Sequence, residues 1–507
     1  MEKTKQKITK GFMIALFSIM TIAFSFLYVK MCQDKYTAGM FMRTFVTIFV
    51  SALVYYGLVK VESFLEKYQK IILGSFLAVM LILQIVAGYY MQITPQWDFG
   101  SVYHAAVQWA EQGDFPDYKE YFYWFNNNLG ELGFLTAIFK VAKAVGIKDY
   151  NMTATVVNAV LNVCMMLLAF FNCKRITTSV KNGFFILFIF AVSIPSYLGA
   201  SVFYTDVFSM VYPMLVLYLY LRLREETTWK KQILYGGVMA LAAWIGCEIK
   251  YTVLIIVIAI VIEVLLRAEW KKALLIVGCS LAVFGICNAI YNAEVYGSHL
   301  EKEIAEERNT PLLHWVMMSM QGDGGYNGAD YEFTRSFTDL EQRDEALKAK
   351  IKERLETMGP SGVYKLALAK AEKCFSDGTY EHNAFFYHGL VRTCFLDDYV
   401  LSDGSKYEGY KKFCTGIYFG FWVLMIVGGI ISVIRLILDL KQGEDVFQME
   451  YLIPELAVFG LLLFLMMWET NARYIVNYIP MIYVAAVLGM AQVFAFAGKK
   501  LAKKEIK

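Results

Sequence analysis

Apolar runs of 17–25 residues recur along this chain, and that length is what a helix needs to cross the roughly 30 Å hydrocarbon layer of a bilayer. They fall at about 11–29, 40–59, 71–91, 151–172, 183–202, 206–223, 232–247, 251–267, 273–291, 413–437, 451–468 and 474–497. Hydrocarbon offers no partner to a backbone amide, so a single run can cross only as a helix that satisfies its own hydrogen bonds. The sequence therefore predicts an all-α polytopic membrane protein of about twelve transmembrane helices. Composition agrees: 58% of residues are hydrophobic and 18% are charged, against about 25% charged in a soluble domain. The first run follows Lys3, Lys5, Lys7 and Lys10 and lacks a small-residue cleavage site, so it reads as a retained span.

The placement of positive charge sets the expected orientation. Lysines and arginines gather at the N-terminus, from Lys60 to Lys70, at Lys174-Arg175-Lys181, from Arg222 to Lys231, from Arg267 to Lys272, from Arg435 to Lys441 and from Lys499 to Lys504. These mark cytoplasmic ends and put both termini inside a plasma membrane. The net charge of +3 is too small to suggest a nucleic-acid partner. One apolar stretch, 129–147, conflicts with this parity, because counting it as a span moves every later basic cluster to the outside. Lys140 and Lys143 interrupt it, while Leu132, Leu135, Ile138, Phe139 and Ala142 recur at helical spacing, as in a helix lying in the interface.

Four regions follow: an N-terminal hairpin (1–70), a core with an external loop at 92–150 (71–291), a small external domain (292–411) and the C-terminal spans (412–507). The external loop is expected to form helices jutting over the bilayer. Trp97, Tyr103, Trp109, Tyr118, Tyr121, Phe122, Tyr123, Trp124 and Phe125 suit the headgroup layer there. In 292–411, Thr338-x-x-Glu341 reads as a capping box opening a helix that Gly359-Pro360 ends, and a second amphipathic helix precedes an Asp377-Gly378 turn. Cys374 and Cys394 lie in this region, and a disulfide between them is open but not required by their spacing.

Four polar sites stand at the external ends of spans: Asp98; Tyr204-Thr205-Asp206; Glu248 with Lys250; and Glu469 with Arg473 and Tyr474. Ionisable groups at membrane depth are costly and point to function. Acids beside Lys and Arg on one face provide a base together with a phosphate-binding pair. All five histidines, His104, His299, His314, His382 and His388, fall outside. None has zinc spacing, and the chain has no nucleotide-binding glycine motif. An activated donor must therefore arrive in another form, and a membrane-embedded donor would be lipid-linked.

At these residues the chain resembles the integral-membrane glycosyltransferases of the GT-C superfamily, which includes protein O-mannosyltransferases and the aminoarabinose transferase of lipid A. Asp98 and Asp206 match the order of that family's acids, the first opening a loop with jutting helices and the second in a short later loop. Tyr121 to Gly130, with Asn126, Asn127 and Asn128, is similar to the aromatic, Asn-bearing stretch after the first acid. Ala472-Arg473-Tyr474 with Pro480 is similar to the late arginine motif. Thr310 to Met318, which includes His314, is similar to a segment of bacterial members acting on cell-surface polymers. The chain departs from the pattern in lacking a proline before the Asn run and in having an additional N-terminal hairpin.

The resemblance implies an inverting transfer from a polyprenyl-phosphate sugar to a hydroxyl of an envelope polymer, glycolipid or protein on the outer face. It would work downstream of a polyprenyl-phosphate sugar synthase. Asp98 would be the base; Asp206 would be a second catalytic residue, positioning the acceptor or a basic residue or binding a divalent ion; and Lys250 and Arg473 would be the ligands of the donor phosphate. Tyr204, Glu248, Asn127, Asn128, Glu469, Tyr474 and His314 would bind substrate, and some members use a divalent ion. The rival readings are a lipid-linked saccharide transporter or flippase, favoured by the many spans, and a scaffold of a cell-wall assembly complex using 292–411. Transporters commonly place their polar sites at the midplane between repeats, whereas here they lie at one face. The orientation is directly testable: cysteines introduced in 340–356 should react with an impermeant maleimide added to intact cells, and cysteines in 62–69 only after lysis. The reverse pattern would invert the assignment.

Overall fold

A computed structural model describes residues 2–35, 38–442 and 447–505. The side chains of His388 and of the 499–504 lysines lie outside the described residues. The described chain is all helical apart from turns and one isolated antiparallel bridge, Ile93 to Leu390. Ten helices are long and apolar enough to cross a membrane, and Val180–Val192 with Pro195–Ser201 makes an eleventh position, bent by 75°. The twelfth expected run, Tyr251–Leu266, is a shorter apolar helix. Leu129–Ala144 is 16 residues long and is not among the helices of crossing length.

The break in the eleventh position has a clear cause. Pro195 has no amide hydrogen to continue the helix, and after it the backbone turns into a single helical turn and a short 3-10 segment. The carbonyls this exposes are met from the neighbouring span, where the buried Asn158 donates from Nδ2 to Gly199 and Ala200. The expected straight helix over 183–202 is thus two pieces, and the second delivers Tyr204 and Asp206 to the end of the bundle.

Between the spans Glu62–Tyr90 and Tyr150–Thr177 the chain builds a shelf of helices, Trp97–Gln112, Lys119–Trp124 and Leu129–Ala144. The first and last pack side by side, and Leu129–Ala144 also lies on the span Trp229–Ile249. The two lysines that interrupt the apolar stretch have partners here. Lys143 Nζ donates to the carbonyls of Ala110 and Glu111 at the end of Trp97–Gln112, and Lys140 lies over the Trp109 ring. Cations suit a helix C-terminus.

Contacts separate the two ends of the bundle. At one end the basic clusters meet acids from neighbouring spans: Lys181 with Glu62, Arg175 with Glu225, Arg224 with Glu269 and Glu450, and Arg267 with Glu263 and Glu450. Asp98, Asp206, Lys250 and Arg473 lie at the other. This arrangement matches the parity obtained when 129–147 is not a crossing.

Residues 292–411 pack onto that second end. Backbone bonds tie Thr94 to Gly389, Val391 to Gln92 and Thr470 to Gly324, and Lys370 Nζ caps the Met466 carbonyl. Leu340–Phe375 opens one residue later than a Thr338 box requires, because the Asp339 carboxylate accepts from the Gln342 amide. It is interrupted at Gly359, whose φ of 58° lies outside the helical region. Cys374 and Cys394 are both free thiols.

The spans Tyr407–Gln442 and Ile479–Glu505 approach closely where Gly428 faces Gly489. A Cβ on Gly489 would lie 2.1 Å from the Leu424 carbonyl oxygen, and small residues permit such close helix pairs in membranes. Gly489→Val should therefore destabilise the protein by about 1–3 kcal/mol, read as a lower melting midpoint in detergent. An unchanged midpoint would refute this packing.

Candidate functional site

Each of the four polar sites is positioned by a break in a helix. Trp97–Gln112 starts at Trp97, which holds a positive φ of 55°, and Asp98 lies in its first turn. Anions are favoured there. The next residue, Phe99, is buried against Phe203, Tyr204 and Phe385, which fixes the start of the shelf to the broken span. Asp206 lies in the first turn of the short helix Thr205–Phe208. Trp229–Ile249 ends just before Lys250, which adopts an extended conformation. Arg473 opens the 3-10 segment Ala472–Tyr478. Tyr478 and Asn477 bond to Thr252 and so tie this segment to the Lys250 turn.

Asp206 is 3% exposed and is gripped by two cations. One oxygen contacts Lys250 Nζ, and the other is 3.3 Å from Arg473 Nε. Lys250 also lies over the Tyr474 ring, and the Arg473 guanidinium lies near Tyr204, Phe385 and Tyr474. Among the described residues the terminal guanidinium nitrogens of Arg473 make no hydrogen bond, and they are not sealed from solvent. Burial pushes the Lys250 ammonium below its ordinary pKa, against the opposing pull of Asp206.

Asp98 differs from Asp206 in exposure and in partners. It is exposed and forms no salt bridge among the described residues. Its neighbours are tyrosines: its charge reaches Tyr121, Tyr204, Tyr326 and Tyr331. Tyr121 in turn accepts a 2.6 Å bond from Asn128, whose Oδ1 accepts from Asn127. Burial, with Asp98 adding to it, holds the Tyr121 and Tyr204 hydroxyls well above their usual pKa, so both remain proton donors.

The structure therefore gathers Asp98, Tyr204, Asp206, Lys250, Glu469, Arg473 and Tyr474, with Asn127 and Asn128 reaching Asp98 through Tyr121. Glu469 is buried and accepts a 2.7 Å bond from Tyr474; burial raises its pKa. Two expected residues stand apart. Glu248 lies beside Trp244 and Tyr291, on a different side of its helix end from Lys250. His314 is fully buried and bonded to Thr334, one layer behind Tyr331, and burial pushes its pKa to about 4. Its neutral ring packs the interior of the 292–411 region.

Several site residues escaped sequence reasoning. Tyr326 and Phe385 come from 292–411, far along the chain from the residues they face. Glu381, half-buried, has one carboxylate oxygen unpartnered, lies within charge range of Arg473 and holds a positive φ of 57°. Glu131 is fully buried in the first turn of Leu129–Ala144, within charge range of Asp206, Lys250, Arg473 and Asp98. Its place at a helix start, three residues after Asn128, was the available signal. Among the described residues no three His, Cys, Asp or Glu side chains are arranged to hold a metal ion. The Asp206 oxygens are turned to Lys250 and Arg473.

A bundle of crossing helices with a charged cluster at one end defines an integral membrane protein of the polytopic, all-α class. Residues 1–494 match the model of a family described as conserved hypothetical integral membrane protein, and the chain belongs to that family. No curated protein matches it in sequence.

Removing one charge from the Asp206 group should be costly, since breaking a buried ion pair strands its partners at about 3–5 kcal/mol. Asp206→Asn is thus expected to lower the melting midpoint clearly, while Asp98→Asn, at an exposed position without an ion pair among the described residues, leaves it within error. Equal midpoints for the two variants would contradict the assigned roles.

Proposed function

We propose that this protein is an inverting glycosyltransferase of the GT-C type, moving a sugar from a polyprenyl-phosphate carrier to a hydroxyl of an envelope polymer, glycolipid or protein. The observation that carries this reading is the contrast between its two aspartates. Asp206 has its oxygens committed to Lys250 and Arg473, whereas Asp98 is exposed, free of cations and beside them. One acid thus orders a cationic pair, and the other is available as a base.

In this mechanism the acceptor hydroxyl binds beside Asp98, within reach of Tyr204. Its oxygen attacks the anomeric carbon as its proton passes to the Asp98 carboxylate. The bond from that carbon to the phosphate oxygen breaks, its electron pair stays on the phosphate, and the configuration inverts. Arg473 presents its unbonded terminal nitrogens as a planar fork for the phosphate, and Lys250 supplies a point charge. The leaving phosphate needs little protonation, so most of the proton transfer falls to Asp98. A positioned base typically contributes about 10²–10⁴-fold.

The test is reconstitution of purified protein with undecaprenyl-phosphate sugars and an envelope acceptor fraction, followed by product analysis. Wild type should transfer label with inversion, and Asp98→Asn should lower the rate by about 10²–10⁴-fold with donor binding intact. Transfer by Asp98→Asn at the wild-type rate, or flipping of the donor with no covalent product, would overturn the assignment.

A further inference from the structure

The Glu131 carboxyl is 0% exposed, and neither of its oxygens has a hydrogen-bond partner among the described residues. Its backbone has little freedom to swing outward. A Cβ on the preceding Gly130 would lie 2.0 Å from the Glu248 carbonyl, and one on Gly133 would lie 2.9 Å from the Tyr291 hydroxyl. Leu129 and Leu132 are buried on either side. A leucine of similar size would fill this volume without orphaned polar atoms, so packing does not account for a carboxyl here.

We infer that Glu131 is a phosphate-binding residue that completes, with Lys250 and Arg473, a site for the phosphate of a lipid-linked ligand. The inference deepens the transferase reading and rests on it for the identity of the lipid, but the site itself is a binding site and requires no reaction. A second feature supports it: the carboxyl lies within charge range of Lys250 and Arg473, the two cations proposed to hold the phosphate, and its helix start abuts the Glu248 end of the helix that delivers Lys250.

Burial, reinforced by the Asp206 charge, holds the Glu131 pKa well above the usual carboxylate range and so favours the protonated acid. Its orphaned O–H then finds an acceptor in a phosphate oxygen. During transfer, the C–O bond to the sugar breaks and its electron pair moves onto the phosphate, so this hydrogen bond strengthens while the proton stays on Glu131. A donor aimed at the site where charge develops favours the transition state over the ground state.

The experiment measures binding of polyprenyl phosphate, carrying no sugar, to the full chain in nanodiscs, with inorganic phosphate as competitor. Glu131→Gln keeps a neutral donor and should bind within about threefold of wild type. Glu131→Leu keeps the volume but removes the donor and should weaken binding by about 10- to 100-fold while melting no lower than wild type. Wild-type binding by Glu131→Leu, or equal loss in a folded Glu131→Gln, would overturn the inference, as would failure of wild type to bind either form of phosphate. Tighter binding of the lipid than of inorganic phosphate identifies the lipid-linked source, and equal binding a free phosphate. Because sugar and acceptor are absent, a failure of Asp98→Asn to slow transfer would remove the transferase reading and leave this result standing.

Discussion

The Asp206 ion pairs with Lys250 and Arg473 are the interaction on which this end of the molecule depends. Three segments distant in sequence meet there, each at a place where a helix has just broken: after the bent span, after Trp229–Ile249 and before Ile479–Glu505. A buried charge is tolerated only when paired, so the pairs constrain how the three ends register with one another. They also occupy Asp206, whereas Asp98 forms no ion pair among the described residues.

The breaks are as informative as the helices. A continuous span after Ser193 would carry its polar residues past the end of the bundle. Pro195 and the Asn158 amide instead turn the chain so that Tyr204 and Asp206 face Phe99 and Arg473. At the far end, acids and arginines from five helices pair across the bundle, with Glu450 shared between Arg224 and Arg267. The end bearing Asp98 has an exposed acid, unbonded guanidinium nitrogens and an orphaned carboxyl, which is where a ligand has something to gain.

Residues 292–411 close over the site while remaining stitched to the bundle. Tyr326 lies within charge range of both Asp98 and Glu469, and Phe385 packs on Phe99 and Tyr204. The backbone bonds to Gln92 and Thr94 connect this cover to the start of the shelf. Loop and cover thus line the same site.

The sequence by itself determined the helical class, the positions of ten of the twelve expected crossing runs and the exclusion of 129–147 from them. Those follow from length, apolarity and the placement of charge, all properties of single segments. It also brought forward Asp98, Asp206, Lys250 and Arg473, because charged residues beside apolar runs stand out without knowledge of their neighbours. Only the tertiary structure decided which of them pair. It separated Asp98 from Asp206 in exposure and ion pairing, set Glu248 and His314 apart, and brought in Tyr326, Phe385 and Glu131. Exposure, ion pairing and the lack of a hydrogen-bond partner are relations between distant segments, and a pattern along one chain does not contain them.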